Sequence, residues 1–256
     1  MLPLGATRAV CEGTKEPECR ILFPGTYDRP DAVYQIVENA PEPLGSTMKD
    51  LIERRLADPT LPMEEAFSQQ LKEEKLELPA GQFALFMNSM YAVDAYVRDY
   101  FRKAVLDALL AEKLPVTVFG EGWEKYSCGD GHSLRREPAV PFALSFERIA
   151  KAHVLLNVSP IFNRGMHDRV PAGMANHAVV LTDENPYLRR TFTDGKELLF
   201  YSLEKPDTLC EQAERALTDV RLREKIAASA YETFEREYTW KRRAEQILAF
   251  AEEVEA

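Results

Sequence analysis

Apolar positions change period along the chain. Residues 154–159 (Val-Leu-Leu-Asn-Val-Ser) and 178–183 (Ala-Val-Val-Leu-Thr-Asp) are short runs rich in β-branched residues, bounded by polar loops, which is the pattern of buried strands. A short helix fits between them, a helical turn follows over 186–192, and 197–201 reads as a third strand. Strand, helix and strand in so few residues predict parallel strands joined by right-handed crossovers, and hence an α/β core. Upstream, the apolar runs around Ile21-Leu22-Phe23 and Val116-Thr117-Val118-Phe119 have the same character. Residues 20–25, 116–120, 154–159, 178–183 and 197–201 are therefore expected to be parallel strands of one sheet.

Between the first two strands the spacing becomes helical, over 31–39, 47–57, 63–77 and 81–112, with breaks at Pro41, Pro43, Pro59 and Pro79. On the last block Tyr91, Ala95, Arg98, Arg102, Val105 and Leu109 fall near one face. Arg98 and Arg102 could reach a phosphate, although pairing with Asp or Glu is the commoner role. Residues 126–142 read as loop with a short extended piece near Val140, and 142–152 as a helix. Residues 206–217 and 220–238 form amphipathic helices, and 240–253 a last one with Ile247, Leu248, Phe250 and Ala251 on its apolar face.

Composition adds boundaries. With 256 residues, 45% of them apolar and 29% charged, the chain can bury a substantial core. A formal net charge of −10 and the lack of a basic stripe argue against nucleic acid as a partner, while leaving room for a local cationic pocket. Cys11, Cys19, Cys128 and Cys210 form no C-x-x-C pair, so neither a zinc site nor a disulfide framework is expected. The first residues lack a signal-peptide pattern, and no apolar run approaches the roughly 20 residues of a membrane span, so a cytoplasmic location is expected.

In parallel α/β sheets ligands bind outside the carboxyl ends of the strands. Asn157 and Ser159 through Arg169, and Thr182-Asp183-Glu184-Asn185, fall there. In Asn163-Arg164-Gly165-Met166-His167-Asp168-Arg169 a helix is expected to start at Asp168 or Arg169, with Pro171 tolerated in its first turn. Its free N–H groups, with the forked guanidiniums of Arg164 and Arg169, would make a diphosphate site. The plainer alternative is an Asp168 N-cap between surface arginines. His167 reads either as a base or as an ordinary hydrogen-bond partner. Gly25 follows the first strand, where a turn alone would explain it. Gly120-Glu121-Gly122-Trp123 follows the second but lacks the third glycine of a dinucleotide fingerprint. No Asp-x-Asp, H-E-x-x-H or P-loop motif occurs. Arginines rather than a metal would then carry a leaving group's charge.

Phe119-Gly120-Glu121-Gly122-Trp123, Leu156-Asn157-Val158-Ser159, Gly165, Arg169-Val170, Leu181-Thr182-Asp183 and Gly195-Lys196-Glu197 resemble the C-terminal half of GT-B glycosyltransferases. The nearest type is the spore-maturation-protein group of family 1-like enzymes, and the resemblance is specific over roughly 115–240. It implies a Rossmann-like parallel sheet, one half of a GT-B fold, and does not take in the helical block 31–112, which by its spacing reads as a helical insertion after the first strand. Residues 1–30 and 113–240 would form the donor-binding domain, 31–112 the insertion and 241–256 a C-terminal helix. The substrate implied is a nucleotide-diphosphate sugar, with no tightly bound cofactor and no metal, and a glycan or other hydroxyl compound as acceptor.

Carried over by residue, Gly25, Gly120, Glu121, Gly122 and Trp123 would border the donor cleft. Asn157, Ser159, Asn163, Arg164, Gly165 and Arg169 would face the diphosphate and sugar, with His167 and Asp168 as catalytic candidates. Thr182 and Asp183 would face the sugar or acceptor. Two glutamates frequent in such enzymes are replaced here by Asn163 and Ala172, so Asp168, Asp183 or Glu184 would have to substitute. The first GT-B domain is absent, on another chain, or replaced in part by the helical block, and without it the enzyme could be inactive. Two alternatives remain: a non-catalytic sugar-nucleotide-binding module and an NAD(P)-dependent Rossmann enzyme.

Overall fold

The computed structural model describes residues 2–9, 18–127 and 131–255. Cys11 and Cys128 lie outside them, and Cys19 and Cys210 are free thiols. Six strands, β1 (Cys19–Pro24), β2 (Val116–Phe119), β3 (Leu134–Glu137), β4 (Ala152–Asn157), β5 (Val179–Asp183) and β6 (Leu199–Tyr201), form one sheet in the order β3-β2-β1-β4-β5-β6. Every pairing is parallel. This is a Rossmann-like α/β sheet in which the strand order reverses between β1 and β4.

Side-chain alternation along the strands sorts the core into two layers. Ile21, Phe23, Val154, Leu156, Val179 and Leu181 belong to one buried cluster, shared with the helices inserted after β1. Leu22 and Leu155 face the opposite cluster, with Ala172, and Val180 and Phe200 face a third with Met174 and Phe234. With both faces covered, the strands must be apolar throughout, which explains their unbroken hydrophobic runs.

The insertion comprises α1 (Pro30–Glu38), α2 (Leu44–Ala57), α3 (Met63–Glu73), α4 (Ala80–Ser89) and α5 (Tyr91–Ala111). The expected single helix over 81–112 is two, broken at Met90 (φ −82°, ψ 10°), which is itself buried. Apolar spacing continues across the break because both helices press on the same cluster, so periodicity alone does not reveal it. Expected loop at 134–137 is instead the edge strand β3. Of its four residues only Leu134 is fully buried, too little patterning to mark a strand.

The second half continues through α6 (Phe142–Ala150), α7 (Arg169–Ala175), α8 (Pro186–Thr191), α9 (Pro206–Thr218), α10 (Val220–Glu237) and α11 (Trp240–Glu255). Asn185 and Asp219 cap α8 and α10 through their side chains. Strand β4 begins and ends two residues before the expected 154–159, so Val158 and Ser159 have already left the sheet. On α11, Ile247, Leu248 and Phe250 are exposed. No helix among the described residues is long and apolar enough to cross a membrane.

Candidate functional site

The strand reversal opens a crevice at the carboxyl ends of β1 and β4. Its floor is made by two loops that touch. After β1, Gly25 N–H donates to Phe119 O at 3.0 Å and Tyr27 N–H to Glu121 O at 2.9 Å. Gly120 and Gly122 permit this approach. A Cβ on Gly120 would lie 2.0 Å from Gly25 O, and one on Gly122 (φ +85°) 1.9 Å from Tyr27 O. Trp123 is buried below, stacked on Tyr27 and donating through Nε1 to Gly25 O at 2.7 Å. Gly25, Gly120 and Glu121 line the resulting cavity of about 730 Å³, whereas Gly122 and Trp123 support its floor.

Two guanidiniums meet at this floor. Arg169, the first residue of α7, and Arg102, from α5, have Nη2 atoms 3.1 and 3.6 Å from the point where a Gly25 side chain would begin. Both are buried and both lie over Phe23, at 5.7 and 6.0 Å from the ring centre. Arg169 Nη1 donates to Asn157 Oδ1 at 2.8 Å, and Arg102 Nη1 donates to Thr26 O. The nearest carboxylate to Arg102 is Asp99 at 3.7 Å, which already pairs with Arg98 at 2.8 Å. Arg102 Nε has no partner. Burial pushes Arg169 down to about 10; burial and the Arg169 charge push Arg102 down to about 9. Both remain charged at neutral pH, offset only in part by Asp99 beside Arg102 and by Asp168 and Asp183 beside Arg169, and of the two Arg169 lines the cavity.

Behind Arg169 stands a buried hydrogen-bond net. Asn157 Oδ1 also accepts from Ser159 Oγ (3.0 Å), and its Nδ2 donates to Thr182 Oγ1 (2.9 Å). Tyr201 O–H donates to Asn157 O (2.8 Å), and Ser159 N–H donates to Asp183 Oδ1 (2.9 Å). Burial raises the Asp183 carboxyl to about 7 despite that bond. Asn157, Ser159, Thr182 and Asp183 therefore hold Arg169 in place rather than line the cavity.

The loop after β4 separates its arginines. Arg164 is exposed, pairs with Glu65 of α3, and lines a second cavity of about 650 Å³ along with Gly165. Asn163 is buried there, donating to Pro59 O at 2.8 Å. The expected pairing of Arg164 with Arg169 in one site is thus replaced by Arg102 with Arg169, because the loop turns away and the insertion brings α5 in. His167 and Asp168 line both cavities. His167 Nδ1 rests on the Asp168 carboxylate, and its ring meets Phe162 edge-to-face at 5.1 Å. Burial, with the Arg169 charge, lowers the His167 pKa, so its ring is neutral at pH 7, while the His167 bond lowers Asp168. Asp168 makes no side-chain cap on α7, which removes the plain N-cap explanation.

Two contributors are given no settled role by the sequence. Arg102 reads from its helical face, with Arg98, as either a phosphate contact or a partner for Asp or Glu; the structure pairs Arg98 with Asp99 and turns Arg102 to Thr26 O. Asn185 accepts from Leu188 N–H and donates to Phe162 O and Gly165 O, fixing the loop that carries His167; its position before Pro186 was the available signal. Glu184 pairs with Arg189, and Ala172 lines the first cavity without a polar group. Among the described residues no group of three or more His, Cys, Asp or Glu could hold a metal.

A family model described as glycosyl transferase-like matches residues 98–249. No curated protein matches the chain in sequence. Among similar solved structures is Anabaena Alr3699/HepE in complex with UDP-glucose, at 11% identity and TM-score 0.50, covering 60% of this chain and 44% of that one. Sucrose-phosphate synthase (tll1590) from Thermosynechococcus elongatus is another, at 14% identity and TM-score 0.51, covering 61% and 42%. The chain spans less than half the length of either, and the likeness is one of fold.

Proposed function

The chain belongs to the glycosyl transferase-like family, and from that premise we propose that it binds a nucleotide-diphosphate sugar in the first cavity for transfer to a hydroxyl acceptor. One observation carries the reading: two buried guanidiniums, only partly offset by carboxylates, meet beside Gly25, Arg169 lining the cavity and Arg102 standing behind Gly25 and Thr26. A diphosphate supplies the missing negative charge and accepts in the forked geometry that guanidinium favours. Charge developing on the departing diphosphate would fall on Arg102 and Arg169, so transfer needs no metal. The similar structure that holds UDP-glucose makes UDP the first nucleotide to test.

Within this reading, residues 1–30 and 113–240 form the donor-binding unit, 31–112 the insertion, and 241–256 the closing helix, with the unit over 115–240 of the spore-maturation-protein type. His167, neutral and oriented by Asp168, is the candidate base. A non-catalytic sugar-nucleotide module is the second reading. It is favoured by the absence of a carboxylate at Asn163, which bonds backbone, and at Ala172.

Thermal-shift assays with UDP-, GDP-, dTDP- and CMP-sugars against NAD(P), with and without EDTA, test the proposal. Stabilisation by a sugar nucleotide that survives chelation is the expected result. Stabilisation by NAD(P) alone would overturn it, and loss on chelation would remove the metal-free mechanism. Turnover with a hydroxyl acceptor separates the two readings.

A further inference from the structure

The second cavity lies where α2, α3 and α5 of the insertion meet the loop after β4. It shares one wall with the first: His167 and Asp168 line both. We propose that this second cavity is an acceptor site for a neutral, hydroxyl-rich sugar, built by the helical insertion, so that donor and acceptor meet across His167. The inference rests on the donor reading above.

Its chemistry differs from that of the first cavity. Here each arginine has a carboxylate. Buried Arg55 pairs with Asp94 of α5 and donates to Pro160 O at 3.4 Å, and Arg164 pairs with Glu65. No surplus positive charge remains to draw an anion. The wall instead offers the carboxylates of Glu64 and Asp94 and the phenol of Tyr187, beside the half-exposed ring of Phe162 and the apolar Ile161 and Met63. Carboxylates accept from sugar hydroxyls, and apolar and aromatic side chains cover the C–H faces of a pyranose ring. At about 650 Å³ the space holds a mono- or disaccharide end.

The shared wall supplies the step. An acceptor hydroxyl entering from this side gives its proton to His167 Nε2, since Nδ1 is turned to Asp168. Its oxygen bonds to the anomeric carbon as the bond from that carbon to the diphosphate oxygen breaks. The electron pair of that bond leaves on the diphosphate, against Arg102 and Arg169. The insertion would thus take the place of an opposing domain wall.

Met63 and Met166 line this cavity and neither lines the first. Methionine-methyl NMR on the full chain therefore reads it separately. Methyl glycosides of glucose, galactose, mannose and N-acetylglucosamine, and neutral disaccharides of these sugars, serve as probes. At least one should shift the Met63 and Met166 signals saturably. Affinity should fall at least tenfold in Glu64→Gln and in Ile161→Trp, the second of which fills the cavity. UDP titration should remain unchanged in both variants, which also verifies their fold.

Three results would overturn the proposal: no probe moving these methyls, shifts that persist undiminished in both variants, or glucose 1-phosphate binding there more tightly than neutral glycosides. If UDP fails to bind the wild-type chain while a glycoside behaves as expected, the donor reading falls and the second cavity stands as a sugar site.

Discussion

Replacing Arg169 with methionine should weaken ligand binding while leaving the stability of the free protein nearly unchanged. In the free protein the Arg169 charge is held in a buried place that lowers its pKa to about 10. Converted at the usual rate per pKa unit, that depression is an unfavourable burial of roughly 3 kcal/mol. Opposing it are the charge-assisted bond to Asn157, worth about 1.5–3 kcal/mol, and the contact with the Phe23 ring, worth about 1 kcal/mol. Methionine keeps most of the apolar stem and leaves Asn157 Oδ1 still bonded to Ser159. The net effect on the free protein is therefore within about 1 kcal/mol of zero, a Tm held within about 2–4 °C of the wild type. A diphosphate loses a charged donor, costing about 1.5–3 kcal/mol, or roughly 10- to 150-fold in Kd. Calorimetric titration with UDP and thermal unfolding of the free variant measure the two halves. A Tm lowered by more than about 4 °C with UDP affinity held within about twofold would show that Arg169 is a structural strut and refute the reasoning.

Arg164→Ala should alter UDP affinity by less than about twofold, since Arg164 pairs with Glu65 at the surface beside the other cavity and such pairs contribute little; calorimetry checks it. Gly122→Ala, with φ +85° and a Cβ 1.9 Å from Tyr27 O, should cost about 3 kcal/mol or more in urea unfolding. Asp183 has a native pKa raised to about 7 by burial, whereas the unfolded carboxyl ionises near 4. Its contribution is fully present below about pH 4 and lost as pH rises to about 7, by up to roughly 4 kcal/mol. Asp183→Asn should remove that fall when variant and wild-type unfolding are compared at pH 4.5 and 7.5, both values being about the edges of this window.

Legibility in the sequence followed burial. The doubly covered strands β1, β2, β4 and β5 are continuous apolar runs that solvent cannot tolerate, so composition marks them to within about two residues. The one-sided edge strand β3 carried no such mark. Caps and turns were equally local: Asn185 before Pro186, and the glycines after β1 and β2, announce a helix start and two close backbone approaches through their own conformational limits.

What the sequence by itself determined was a parallel α/β sheet with loops at Gly25, Gly120 and 157–169 at the carboxyl ends of its strands. Only the tertiary structure decided which charges meet there. Arg102 and Arg169 are 67 positions apart and come together through the packing of α5 on the sheet. Arg164, five residues from Arg169, is turned to a different cavity and a different partner. Local patterning fixes period and capping over a few residues. The sign and compensation of charge at one point depend on which distant chains the fold brings within a few ångströms of it.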